Sequence, residues 1–299
     1  MSLLKTGFVS FVGRPNAGKS TLLNKLVGSK LAIVSDKPQT TRTRILGVRN
    51  YPDAQVVFLD TPGIHRPLHR MNVRMVDAAL DTIREVDVLG LVVDATEPAG
   101  KGDAFVMDLL KDVEVPVFLL LNKIDLMKKS RLLPIIEQFS RENRFAEIIP
   151  ISAYTGENVD RLERAVIDRL PEGEARYPPD YLTDQPERFF AAEIVREKLL
   201  QFTHAEIPFS SAVVIDRFDE SEPKMLRLYC TIVVDRESQK PIIIGKGGDM
   251  IKRIGVAARE ELEKFFSTKV YLDLHVRVRE EWREDERVLG DIGLGPRDK

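Results

Sequence analysis

Short apolar runs recur through the first half of the chain, each bounded by glycine or polar residues. Gly7–Val12, Ala54–Leu59, Val115–Leu121 and Ile148–Ile151 are of this kind. Runs this short and continuous predict strands buried on both faces. Amphipathic stretches lie between them; Ser20–Leu26, with its leucines at helical spacing, predicts a covering helix. The alternation over residues 1–171 therefore predicts an α/β domain, a mostly parallel sheet with helices on its faces. Residues 172–186 are rich in proline and acids around Pro178-Pro179 and predict a linker. The texture then changes. Glu187–Phe202 carries Phe190, Ile194, Val195 and Leu199 near helical period. Strands are predicted at Ser210–Phe218 and Leu226–Val234, then a helical turn at Pro241–Ile244. A glycine loop at Gly245–Gly248 leads into a helix through Phe266, and a last strand runs over Lys269–Val278. The order over 187–279 is α-β-β-α-α-β, a smaller α+β domain. The tail, 280–299, mixes charges around Trp282 and Val288-Leu289, and its pattern leaves open whether it docks on this domain or serves ligand binding.

Chemistry gathers where the apolar runs end. Gly7–Val12 leads into Gly13-Arg14-Pro15-Asn16-Ala17-Gly18-Lys19-Ser20, with Thr21 next on the predicted helix. This fits G-x-x-x-x-G-K-[ST] without mismatch: backbone N–H groups cradle phosphate at a helix N-terminus, the lysine reaches β- and γ-phosphates, and the serine hydroxyl binds Mg²⁺. The plainer alternative, a glycine-rich turn with no ligand, is disfavoured by the strand–loop–helix setting. Ala54–Leu59 ends in Asp60-Thr61-Pro62-Gly63-Ile64. Asp60 is expected to hold Mg²⁺ through water, and the Gly63 amide to meet a γ-phosphate. Alone this would be an ordinary turn; after a phosphate loop it reads as nucleotide-binding. Pro38-Gln39-Thr40-Thr41-Arg42 lies in a polar stretch before the second strand, and Thr41, directly preceding Arg42, is expected to complete the Mg²⁺ shell.

The base is chosen by Asn122-Lys123-Ile124-Asp125, which ends the run Val115–Leu121. Guanine offers two adjacent donors, its ring N1–H and its exocyclic amine. The Asp125 carboxylate can accept both, and adenine lacks that pair. Lys123 can lay its stem along the ring, while Asn122 can tie neighbouring loops together. Ser152-Ala153 is expected to turn a backbone N–H toward the guanine carbonyl. The ordered set predicts GTP and GDP as ligands, with Mg²⁺ held by Ser20, Thr41 and Asp60. Ile64 occupies the place where Ras-like proteins carry a water-orienting glutamine, so intrinsic hydrolysis is expected at about 10⁻⁴ s⁻¹ or somewhat faster. No catalytic residue is assigned with certainty, and His65, beside Ile64, is read as incidental.

In the second domain the string Ile244-Gly245-Lys246-Gly247-Gly248, followed by Ile251, Lys252 and Arg253, has a different use. Glycines permit close backbone approach to phosphates, the next helix contributes its N-terminal amides, and the cations add charge. An apolar groove including Ile244 and Ile251 can hold about four unpaired bases. A lone G-x-x-G is usually just a turn; the flanking isoleucines and the α-β-β-α-α-β order make it resemble the KH module. That predicts single-stranded RNA as ligand, although the loop alone does not exclude DNA.

Composition narrows the picture. A net charge of −2 over 299 residues excludes nucleic-acid binding driven by total charge, so an RNA site must be local. The single Cys230 falls in a predicted strand, rules out an intrachain disulfide and suits a reducing compartment. No signal peptide is expected, and no apolar run reaches the roughly eighteen residues of a membrane span.

Taken together, GRPNAGKS, PQTTR, DTPG, NKID, SAYTGENVD and IIIGKGG resemble the TrmE–Era–EngA branch of P-loop GTPases, and the whole chain is similar to the Era family within it. That resemblance implies a P-loop GTPase domain followed by a KH domain, and supports Thr41 as the metal-binding threonine. It implies a role in small ribosomal subunit assembly through the single-stranded 3′ end of small-subunit rRNA. It also implies a cytoplasmic protein with peripheral association at the inner face of the cell membrane. In some relatives the asparagine equivalent to Asn16 helps bind K⁺ beside the phosphates; here Asn16 stands between that role and simple loop stabilisation. Two rival readings are a metabolic P-loop kinase, against which NKID counts, and a membrane signalling GTPase whose second domain binds protein.

Overall fold

A computed structural model describes residues 4–295 except Pro38, 65–68, Ala99 and Asn143. It contains two compact units. The first comprises the described residues up to 184 other than 69–73; the second comprises 69–73 together with 185–295.

The first unit runs β1 (Leu4–Val12), α1 (Lys19–Val27), β2 (Ile45–Asn50), β3 (Ala54–Asp60), α2 (Arg70–Glu85, its first turn counted in the second unit), β4 (Val88–Asp94), α3 (Lys101–Leu109), β5 (Val117–Asn122), α4 (Leu132–Ser140), β6 (Glu147–Pro150), α5 (Val159–Arg169) and β7 (Glu172–Gly173). The main sheet has the order β2-β3-β1-β4-β5-β6, and β7 pairs with β1. Only β2 and β7 run antiparallel to their neighbours among the described residues. Every residue of β3, β4 and β5 is buried, the reason these segments read as continuous apolar runs.

The stretch 172–186, expected as a linker, is largely laid against this unit. Gln55, 1 % exposed on β3, accepts the amides of Arg176 and Tyr177 at 2.7 and 3.0 Å and donates to the Tyr177 carbonyl at 2.8 Å. The Leu182 carbonyl accepts the Val48 amide of edge strand β2 at 2.8 Å. Tyr177 and Tyr181 stack at 4.7 Å and pack on the core. Proline and acid content suggested a tether; a buried glutamine on another strand satisfies its backbone instead.

The second unit contains α6 (Glu187–Phe202), α7 (Ile207–Ser210), β8 (Ser211–Glu222), β9 (Met225–Val234), α8 (Lys240–Ile244), α9 (Asp249–Phe266), β10 (Lys269–Val278) and α10 (Glu286–Asp291). The sheet order is β10-β9-β8, with β8 antiparallel and β10 parallel to β9. Its core joins one face of this sheet to α6 and α9. The tail is part of this unit. Trp282 is fully buried and its indole N–H donates to the Ser210 carbonyl at 2.9 Å; Arg283 pairs with Asp235 at 2.9 Å; Val288 and Leu289 are buried. The short α7, which the sequence pattern did not reveal, supplies that Ser210 carbonyl.

Candidate functional site

Polar residues leave β3, β4 and β5 at the same end of the main sheet. Asp60 lies beside Phe11 of β1, and Asp94 beside Asn122. A cavity of about 660 Å³ opens there. Arg14, Pro15, Asn16, Gly18, Lys19, Ser20, Thr21, Thr41, Gly63 and Lys123 line it.

The cavity is charged at its centre. The Ser20 hydroxyl lies 2.7 Å from both Asp60 Oδ2 and Thr41 Oγ1, and Thr41 Oγ1 donates to Asp60 Oδ2 at 3.1 Å. Thr40 also lines the cavity, but its hydroxyl donates to the Lys37 carbonyl at 2.5 Å. Asp60 is completely buried, and no described residue hydrogen-bonds its Oδ1. Burial pushes its carboxyl above the usual range, against the nearby Lys19 ammonium and the Ser20 hydroxyl. Burial pulls Lys19 down to about 8, against the Asp60 carboxylate. The Lys19 ammonium donates to the carbonyls of Gly13 and Arg14 at 3.2 and 3.0 Å. Two hydroxyls and an unsatisfied buried carboxylate oxygen make an oxygen donor set suited to Mg²⁺.

Asn122 joins three loops. Its amide nitrogen donates to the Ala17 carbonyl at 2.8 Å, and its oxygen accepts the Ala153 amide at 2.9 Å. Gly18 makes this possible: its φ is 101°, and a Cβ there would lie 2.1 Å from the Asn122 amide nitrogen. Lys123 takes a left-handed conformation and pairs with Asp94 at 2.6 Å. Although burial opposes it, hydrogen bonds from Lys123 and Thr96 hold the Asp94 carboxyl below its ordinary pKa.

Other expected residues sit outside the cavity lining. Asp125 is exposed on the turn after β5. Ala17, Pro62 and Ala153 are buried, and Thr61 donates to the Phe11 carbonyl at 3.0 Å. At Ser152-Ala153, the expected guanine contact, the Ser152 amide donates to the Glu157 carbonyl at 3.0 Å and the Ala153 amide to the Asn122 side-chain oxygen at 2.9 Å. Ile64 is 2 % exposed and packs into the apolar core, so its side chain does not occupy a water-orienting position. The Asn16 amide donates to the Asp36 carbonyl at 2.5 Å. His65 lies outside the described residues. Asp94 and Glu97 line the cavity without having been singled out. The signal for Asp94 was present, a polar residue closing an apolar run as Asp60 does.

In the second unit the glycine loop joins α8 to α9. Gly245 has φ 74° and ψ 174°, and a Cβ there would meet the Met250 backbone nitrogen at 2.7 Å. Gly247 and Gly248, also at positive φ, have open space before them. Lys246, Gly247, Lys252 and Arg253 are exposed, while Ile244 and Ile251 are half-buried beside them. The Arg253 guanidinium stands 5.0 Å over the Phe202 ring.

Fold and site together define a P-loop GTPase domain followed by a KH domain. A family of 50S ribosome-binding GTPases matches residues 8–123, and the KH domain family matches residues 206–283. GTPase Era of Geobacter metallireducens is 51 % identical over 290 residues, 97 % of each chain. An Aquifex aeolicus Era variant solved with GDP and AlF4⁻ superposes with a TM-score of 0.93 at 43 % identity, covering 98 % of this chain and all of that one. Era solved with MgGDPNP and nucleotides 1506–1542 of 16S ribosomal RNA superposes at 0.94, with the same identity and coverage. The chain belongs to the Era family of GTPases.

Proposed function

We propose that this chain is a GTP-hydrolysing switch that binds the single-stranded 3′ end of small-subunit rRNA and acts in small-subunit assembly and maturation. The observation that carries the nucleotide half is the convergence of Ser20, Thr41 and Asp60 beneath a cavity rimmed by Lys19 and the phosphate loop. Mg²⁺ held there supplies positive charge to the β- and γ-phosphates. Lys19, kept desolvated among backbone carbonyls, gives its charge to the same phosphates, and Asp125 accepts from guanine. Thr41 and Gly63 are the points at which a γ-phosphate orders the switch loops. Hydrolysis is intrinsically slow, because Ile64, the side chain after Gly63, is buried in the apolar core and cannot hydrogen-bond water. Asn16 serves as a K⁺ ligand through its side-chain oxygen, its nitrogen being occupied by Asp36.

The RNA half rests on the open Gly247-Gly248 turn with its exposed cations, and on Era having been solved with 16S rRNA nucleotides. Cytoplasmic action with peripheral membrane association is carried by the resemblance to Era alone. No helix among the described residues is long and apolar enough to cross a membrane.

The test is binding of labelled single-stranded RNA from a small-subunit 3′ end, with GDP or a non-hydrolysable GTP analogue, using wild type and Gly247→Asp. Tighter binding with the analogue, abolished by the variant, is expected. Equal binding in both states refutes nucleotide control of RNA. No binding in either state refutes the RNA reading and favours a protein partner.

A further inference from the structure

Arg14 lies in the phosphate loop and lines the cavity, yet its guanidinium is already engaged. Nη2 meets Glu97 Oε2 at 2.8 Å, and Nε meets Asp103 Oδ1 at 2.9 Å. Both carboxylates belong to the segment running from the end of β4 into α3. The Asp103 side chain is 3 % exposed, and its other oxygen accepts the Gly100 amide at 3.0 Å. It therefore caps α3 and holds Arg14 at once. Gly102 leaves room for the arm of Arg14, since a Cβ there would come within 2.7 Å of Arg14 Cδ. Two carboxylates on one guanidinium largely neutralise it toward phosphate. The Arg14 backbone is another matter: its carbonyl accepts the Lys19 ammonium at 3.0 Å.

The same segment begins at Asp94, which pairs with Lys123 through Oδ2 and accepts the Thr96 amide and hydroxyl through Oδ1. A single stretch of chain thus grips the base loop at one end and the phosphate loop at the other. Rigid carbonyls matter here, because Lys19 has long, flexible geometry and a small displacement of its acceptors redirects its charge.

We propose that Arg14 is a positioning residue: clamped by Glu97 and Asp103, it fixes the phosphate-loop carbonyls that aim Lys19, and so sets nucleotide affinity and turnover without contacting phosphate. The proposal rests on the reading of Gly13–Ser20 as a nucleotide phosphate loop.

The test uses the full chain as wild type, Arg14→Ala, Asp103→Asn and the double variant. Asp103→Asn keeps an oxygen to cap the Gly100 amide but loses the charge on Arg14. Affinity for fluorescent GDP and for a GTP analogue, GTP turnover, and the thermal midpoint without nucleotide are measured. Each single variant is expected to weaken both nucleotides roughly tenfold and to slow turnover, with the double no weaker than Arg14→Ala alone, as for residues acting in one network. The midpoint of Asp103→Asn is expected to fall modestly, because its new amide N–H faces the Arg14 Nε–H, whereas Arg14→Ala, which removes that clash, carries the affinity readout. Wild-type affinity and turnover in Arg14→Ala, losses that multiply in the double variant, or a lowered midpoint with intact affinity would each overturn the proposal. Failure of the wild type to bind either nucleotide would overturn the phosphate-loop reading itself, and the proposal with it.

Discussion

Replacing Asn122 with alanine removes one side chain that completes hydrogen bonds from two separate loops. The Ala17 carbonyl loses its donor at 2.8 Å, and the Ala153 amide loses its acceptor at 2.9 Å. Asn122, Ala17 and Ala153 are each at most 2 % exposed, so water does not readily replace the lost partners. Leaving a buried polar group unsatisfied costs about 1–3 kcal/mol, so two give roughly 2–6 kcal/mol. At a urea dependence of about 2 kcal/mol per molar, the midpoint falls by roughly 1–3 M. Asn122→Asp separates the halves: a carboxylate still accepts the Ala153 amide but faces the Ala17 carbonyl with no donor, so its loss should be at least that of one bond. Far-ultraviolet circular dichroism follows both units, whereas Trp282, the single tryptophan, reports the second. The shift is expected in circular dichroism of nucleotide-free protein, accompanied by loss of GDP affinity. A midpoint within about 0.3 M of wild type for Asn122→Ala would refute the claim that this residue ties the loops together.

Two further outcomes follow from buried groups at the same end of the sheet. Burial lowers Lys19 to about 8, against 10.5 for a free lysine, so between those values the unfolded chain binds the additional proton. Stability of nucleotide-free protein attributable to Lys19 should therefore rise with pH over that window, by up to about 3 kcal/mol. Comparing denaturation of wild type and Lys19→Met from pH 7 to 10.5 isolates it, and parallel profiles would contradict it. Ile64→Gln places an amide in the apolar core without a partner. It should destabilise by about 1–3 kcal/mol and leave GTP turnover no faster; accelerated turnover in a stable variant would mean that the side chain does reach the attacking water.

The local chemistry was legible in the chain because its recognition is short-range. A glycine-rich loop between an apolar run and a helix can do little else than present backbone amides, and GRPNAGKS, DTPG and NKID each close such a run. The division into an α/β and a smaller α+β domain followed from periodicity, since continuous apolar runs signal burial on both faces and the α-β-β-α-α-β order is a matter of succession along the chain; that these are GTPase and KH domains came from the motifs and from the family resemblance. Other features depended on partners remote in sequence. Gln55 captures the backbone at Arg176 and Tyr177, so a proline- and acid-rich stretch lies along the sheet rather than free. Ser210 receives the Trp282 indole, which sets the tail's place within the second unit. Ile64 turns into the core, Ser152 and Ala153 spend their amides inside the protein, and Arg14 finds its carboxylates at Glu97 and Asp103. Sequence by itself determined which groups stand at the strand ends, because spacing and residue type are local. Only the tertiary structure decided which of those groups remain available, because a hydrogen bond or ion pair is claimed by whatever the fold brings within reach.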